Sequence, residues 1–449
     1  MPPGTPNSHH TSADEMRGKA QHLFHHSLAE ASVDKAFRKH VSCERGVLRI
    51  CEDLYDLNAY GRVFVVSIGK AAHAMVEALR NQAGDRFEGV VAGPAIAGPD
   101  SDGSQLRGFR YFRAGHPLPN QESIHAGQAI LKSLGALDAA SLVIFLLSGG
   151  GSSMVETPID DEISLSDLTS TYEALVLSGV PIAEINAIRK HLSAVKGGRL
   201  AAAAYPAQQV SLLISDVPDN TPDALASGPT MSDSTSIEDC YAIAAKYGLL
   251  ERFPPSVREL FQRRALDETP KSGDPEFNRS RWWTVLSNST VTEAAKEEAE
   301  RLGFHAEVDN TCDDWDYLRA RDYLLARLRS SREKFEKVCL ISGGEVTVKV
   351  RNGGLGGRNQ QFALSCAEKI AGEPITILTA GTDGVDGNSP AAGALVDGTT
   401  VARAQKRGFY SEECLATFNS YPLFQALGDA IVTGPTGNNL RDLRVLLAY

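Results

Sequence analysis

The chain has 449 residues, 42% of them hydrophobic and 22% charged, with a formal net charge of −11 at neutral pH; that is the balance of a soluble globular protein with two or three cores. The acid excess and the lack of any long basic run exclude a nucleic-acid binder, and apolar runs such as 142–147 are far too short to span a membrane. Seven scattered cysteines, an odd count without a Cys-x-x-Cys pair, point to the reduced thiols of a cytoplasmic protein rather than to a disulfide or zinc framework.

Residues 1–12, rich in Pro, Ser, His and Gly, read as a disordered tail, and 13–41 as a helix with Phe24, Leu28 and Ala31 on one face. A strand at Arg62–Ile68 breaks at Gly69. Lys70 then opens a helix whose apolar positions Ala71, Ala72, Met75, Val76 and Leu79 keep a three-to-four spacing. Strands at 89–92 and 109–112 lead into Gly115-His116-Pro117. A helix at 123–134 precedes a buried strand at 141–147, which runs into Ser148, Gly149, Gly150, Gly151, Ser152 and Ser153. A helix at 183–195 carries the stripe Ile185, Ile188, Leu192 and Val195, and a strand at 210–214 delivers Ser215 and Asp216. The Pro-, Gly- and charge-rich stretch 267–278 reads as a linker. Beyond it come a strand at 284–286, helices at 290–302 and 318–337, and strands at 338–341, 375–378 and 430–433. This alternation predicts two α/β domains, 13–275 and a smaller 276–449, with mostly parallel sheets and a ligand site in the cleft between them.

Several turns carry the chemistry of anion binding. In Gly353-Gly354-Leu355-Gly356-Gly357-Arg358 the glycines let backbone amides approach a ligand, and a guanidinium able to grip a phosphate follows. Ser148 to Ser153 and the Gly343-Gly344-Glu345 turn after 338–341 each leave a buried strand, the place where such amides form a phosphate nest. Lys70 adds an ammonium to a helix start that already favours negative charge, although a solvated lysine is the more ordinary reading of that feature alone. Neither a Walker loop nor a dinucleotide fingerprint is present, and Gly-x-Ser-x-Gly is absent. Arg189, Ser193 and Lys196 fall on one helical face that suits a carboxylate, or else serve as dipole partners at a helix end. Asp216 and Asp386 at strand exits are magnesium candidates; Asp383 suits a metal or a general base; His116 suits proton transfer or a structural turn.

Taken together these motifs resemble the glycerate 2-kinase family, which joins an N-terminal domain of once-unknown function to a C-terminal MOFRL domain. The similar segments are Ile68-Gly69-Lys70-Ala71-Ala72, Gly115 to Pro119, Leu147 to Ser153, Asn186 to Arg199, Ser215 to Pro218 and Ser227 to Thr230. They continue through Ser342 to Glu345, Gly354 to Gln360, Gly381 to Gly387 and Thr433 to Gly437, so they span nearly everything from about residue 20 onward. The resemblance implies a Rossmann-like first domain, a deep cleft, and ATP-dependent phosphorylation of D-glycerate at its 2-hydroxyl with a divalent metal, Mg2+. It implies catalytic roles for Lys70 and Arg358. D-glycerate and ATP are the expected small-molecule partners, and a homodimer the candidate assembly. Where the family has an acid after the Gly-Thr-Asp-Gly turn this chain has Asn388-Ser389-Pro390. Asp219-Asn220-Thr221 follows Val217-Pro218, and Asn438 replaces a threonine. The rival readings are a nicotinamide-dependent hydroxypyruvate reductase, disfavoured by the missing fingerprint, and a non-catalytic metabolite sensor.

Overall fold

The computed structural model describes residues 8–94, 105–351 and 353–449. The chain divides into two compact units, one of Val33–Val285 and one that joins Leu286–Tyr449 to the first helix, Ser8–Glu30. Expected as part of the first domain, that helix instead packs on the helix Asn288–Arg301 and the second unit's sheet. The tail expected at 1–12 lies outside the described residues over 1–7, and helical backbone starts at Ser8. Where one helix to residue 41 was expected there are two, Ser8–Glu30 and Val33–His40. A three-stranded antiparallel meander of Val41–Glu44, Val47–Ile50 and Asp53–Asp56 follows.

The Val33–Val285 unit is built on a six-stranded sheet ordered Phe109–Arg113, Glu88–Gly93, Arg62–Ile68, Ser141–Ser148, Gln208–Ile214, Ser280–Leu286. The first five run parallel. All eight residues of Ser141–Ser148 are buried, as expected of a central parallel strand covered by helices on both faces. Phe64, Val66, Ile68, Val143, Phe145 and Leu147 form its core with Ile130 and Leu134 of the helix Gln121–Leu134. That helix is started by Asn120, whose side chain accepts from the Ser123 amide. From Arg62–Ile68 the chain steps outward to one edge, then returns to lay Ser141–Ser148 on the other side. The order therefore reverses between these two strands, and the crevice beyond their carboxyl ends is where such sheets bind ligands.

The second sheet departs from the mostly parallel expectation. Its order is His305–Val308, Val338–Gly343, Asp442–Ala448, Ile375–Gly381, Gly393–Asp397, Ala430–Ile431, and only the first pair is parallel. The wholly buried final strand, Asp442–Ala448, runs back between two outgoing neighbours. Asp442 at its start thus stands opposite Gly381 and beside Gly343, at the end where both neighbours finish.

Candidate functional site

In the Val33–Val285 unit the strand exits on either side of the reversal are tied together. The amide of Lys70 donates to the carbonyl of Gly149 at 2.9 Å, and that of Ala71 to Ser148 Oγ at 3.0 Å. Ser148 Oγ itself donates to the Ile68 carbonyl at 3.2 Å. Gly69, at φ 117°, faces Ser148 so closely that a Cβ would overlap it. The backbone of Lys70 is thereby fixed while its side chain stays exposed.

The glycine turn brings its neighbours within reach of Lys70. A Cβ on Gly149 would overlap the Asp216 carboxylate, so this glycine lets the acid lie against the turn. Gly150, at φ 81°, lies where a Cβ would sit 3.2 Å from His116 Nδ1 and 3.3 Å from Lys70 Cγ. His116 Nδ1 is 3.2 Å from Ser153 Oγ. Burial first, and then the Lys70 charge, hold the His116 pKa below its usual value, which favours the neutral ring. Gly150 leads into the one-turn helix Gly151–Met154, and the first amides of a helix have no acceptor within it. Ser152 Oγ meets Ser227 Oγ at 2.8 Å. Ser227 and Ala226 both adopt left-handed backbone, φ 61° and 52°, a strained conformation for residues with side chains that concentrates at functional sites.

Lys70, His116, Ser148 to Ser153 and Asp216 are therefore brought together. Lys196 is not. The helix expected to 195 stops at His191, and the chain turns Lys196 inward to 1% exposure, where it pairs with the fully buried Glu156. Glu156 also accepts from Tyr172 Oη at 2.7 Å and Ser193 Oγ at 2.5 Å. Lys190 is likewise consumed, at 3.1 Å from both Asp223 and Asp233. Of the expected carboxylate-binding cations only Arg189 remains. Its guanidinium lies 4.7 Å from the centroid of the Tyr172 ring, and its Nε is buried without a hydrogen-bond partner.

In the second unit Arg358 opens the helix Arg358–Lys369. Its Nε and Nη2 lie 2.7 and 2.9 Å from the two oxygens of Asp442, and Nη2 also reaches Glu345 at 2.8 Å. Burial would lower the guanidinium pKa, but the hydrogen bonds and charge of Asp442, then Glu345 and Asp386, raise it further above the ordinary value. Nε and Nη2 are thus spent on internal carboxylates.

The Gly343-Gly344-Glu345 turn departs from the phosphate-nest expectation. Its three amides donate to Asn310 Oδ1, Asn288 Oδ1 and Asp313 Oδ1 at 2.7, 3.0 and 2.9 Å, so internal acceptors fill the nest. The glycine–arginine loop is also packed from inside. A Cβ on Gly354, Gly356 or Gly357 would overlap Phe418, Ser420 or Asp386. Asn388, where the resemblance led us to expect an acid nearby, stitches the loop by accepting from the Gly356 amide at 2.9 Å and donating to the Gly354 carbonyl at 3.0 Å. These glycines are required by the protein's own close packing.

Asp386 is not placed as a metal ligand. It is 1% exposed, and its oxygens accept from the Asn359 and Gln360 amides at 3.0 and 2.9 Å, anchoring the first turn of the Arg358 helix. Burial pushes its pKa up to about 6, against the pull of those hydrogen bonds. Asp383, half-buried, closes a tight turn by accepting from the Val385 amide at 3.0 Å. Asp216 fits Mg2+ better: one carboxylate against a glycine turn suits an ion that keeps waters and takes its other ligands from phosphates.

Asp442, Glu156 and Ser227 were missed as contributors. Nothing in local spacing marks Asp442 or Glu156, because strand order and an inward turn create their roles. Ser227 belongs to the Ser227–Thr230 segment, whose composition marks a turn and no particular chemistry.

An ammonium, a glycine turn and a carboxylate at the reversal of a parallel α/β sheet define a nucleotide- or phosphate-handling enzyme. Two family models match the chain: a domain of unknown function (DUF4147) over residues 19–262, and the MOFRL family over 338–442. The chain is 36% identical over 390 residues to a D-glycerate 2-kinase of Thermotoga maritima, covering 85% of this chain and 89% of that protein. It is 37% identical over 395 residues to a glycerate 2-kinase of Pyrococcus horikoshii, covering 86% and 87%. The crystal structure of the Thermotoga maritima glycerate kinase superposes with a TM-score of 0.83 at 34% identity, over 97% of this chain and all of that one. The chain belongs to the glycerate 2-kinase family. Among the described residues no helix is long and apolar enough to cross a membrane.

Proposed function

We propose that this kinase transfers the γ-phosphoryl group of ATP to the 2-hydroxyl of D-glycerate, releasing 2-phosphoglycerate and ADP. The observation that carries the reading is the convergence of Lys70, the Ser148–Ser153 turn and Asp216 at the reversal of the parallel sheet. In-line phosphoryl transfer asks of a protein mainly positioning and charge stabilisation. The Gly151 and Ser152 amides and the Lys70 ammonium serve the phosphate oxygens, the Ser153 amide being held by the Gly150 carbonyl, and Lys70 stabilises charge that grows on the moving group. Asp216 would hold Mg2+, which when bound neutralises phosphate charge. His116, which meets Ser153 of the turn, is the proposed substrate contact there, and Arg189 the proposed partner of the glycerate carboxylate.

Arg358, oriented by its grip on Asp442, is the second proposed catalytic cation. A correctly placed arginine is worth about a thousandfold or more in phosphoryl transfer. Asp383 is the proposed base that orients the 2-hydroxyl.

The reading is tested by mixing the protein with ATP, Mg2+ and D-glycerate and following ADP release. Hydroxypyruvate with NADH serves as the parallel arm. ADP release that depends on D-glycerate supports the kinase. Loss of NADH absorbance without ADP release supports a reductase instead.

A further inference from the structure

We propose that His22, His26 and Glu298 form a site for a divalent transition-metal ion of the zinc class, clipping the first helix of the chain to the helix Asn288–Arg301. His22 and His26 are four residues apart on Ser8–Glu30 and so share one face, and Glu298 projects from the facing helix. Their ligand atoms all lie within 4.8 Å of one another. Two imidazole nitrogens and one carboxylate oxygen are the donor set of a three-residue zinc site with water in fourth place, bound at about 2.0–2.2 Å. The set has room to contract onto an ion, because the His22 side chain is 53% exposed and His26 21%, while Glu298 at 10% is the fixed member.

The spot already holds a cation. Arg301 reaches over from the next turn of the same helix to pair with Glu298 Oε2, and its Nη2 lies 3.3 Å from His26 Nε2. A guanidinium nitrogen can only donate, so His26 turns a lone pair toward that position, as a metal requires. His22 Nε2 lies 2.7 Å from Glu298 Oε1 and presents its ring to the same carboxylate. The Arg301 side chain is 66% exposed and can swing away when an ion displaces it. The ion would add a link between the start of the chain and a helix more than 250 residues later, and binding only the folded form raises stability.

The test uses the untagged full-length chain, stripped with chelator and dialysed, with thermal unfolding followed as ZnCl2 is added. The melting temperature rises by several degrees in the parent. The rise disappears in His22→Ala and in His26→Ala, and persists in His25→Ala, whose ring packs on Phe24 instead. Arg301→Ala removes the competing cation, so half-maximal shift comes at several-fold lower zinc, a gain that misfolding cannot mimic. Co2+ titration of the parent gives a visible absorption band that both single histidine variants lack. No rise with zinc, a rise that survives both histidine substitutions, or an Arg301→Ala variant with unchanged zinc dependence would overturn the site.

Discussion

The Lys70 amide donates to the Gly149 carbonyl at 2.9 Å, bridging the exits of the two strands between which the sheet order reverses. The bond fixes where the ammonium starts, while the side chain itself is exposed. Lys70→Ala should therefore lower kcat by about 10²–10³-fold, the usual effect of removing one transition-state donor. Its melting temperature should stay within the small range of a surface substitution. Steady-state kinetics and a melt on the same preparation check both; near-normal turnover would remove Lys70 from the chemistry.

Gly149 gives Asp216 its place against the turn. In Gly149→Ala the new methyl pushes that carboxylate aside, and displacement on the scale of 1 Å costs about 10²-fold in rate. The Mg2+ concentration for half-maximal activity should also increase. An unchanged magnesium dependence would count against Asp216 as the ligand.

Much of this unit was legible in advance because its signals are local. Continuous apolar runs such as 142–147 announce parallel strands, and glycine at the strand exits announces the turns. The second unit hid more. Asp442–Ala448 is a buried strand that we did not anticipate, and only its antiparallel insertion brings Asp442 to Arg358. The Gly343 turn has the composition of a phosphate nest, but Asn288, Asn310 and Asp313, which fill it, lie 32 to 56 residues away in sequence from the amides they accept from. Asp386 and Lys196 failed for one shared reason: burial decides whether a charged group faces a ligand or the interior, and spacing does not report burial.

The inward turn of Lys196 separates two residues that looked equivalent. Lys196→Ala leaves Glu156 buried and unpaired, which should destabilise the fold by about 3–5 kcal/mol while KM for D-glycerate stays near normal. Arg189→Ala should raise that KM with little change in stability. Denaturant melts and substrate titrations of the two variants distinguish the roles, and a reversed pattern would return Lys196 to the substrate.

Asp386 predicts a pH signature. Its folded pKa of about 6 lies above the unfolded value of about 3.9. The folded chain therefore keeps a proton that the unfolded chain releases. The resulting stability is present below about pH 4 and is lost as pH rises through about 6. Asp386→Asn lacks this loss, so the stability advantage of the parent over the variant should narrow between about pH 4 and pH 6. Melting curves of both proteins across that range check it; a gap that widens with pH would mean that the carboxyl titrates in the opposite sense.

The most direct measurement is phosphorus NMR of the product formed from ATP and D-glycerate. The account predicts the resonance of 2-phosphoglycerate, appearing in step with ADP and about 10²–10³-fold more slowly with Lys70→Ala. A phosphate on the 3-hydroxyl, or no new phosphoester at all, would contradict it.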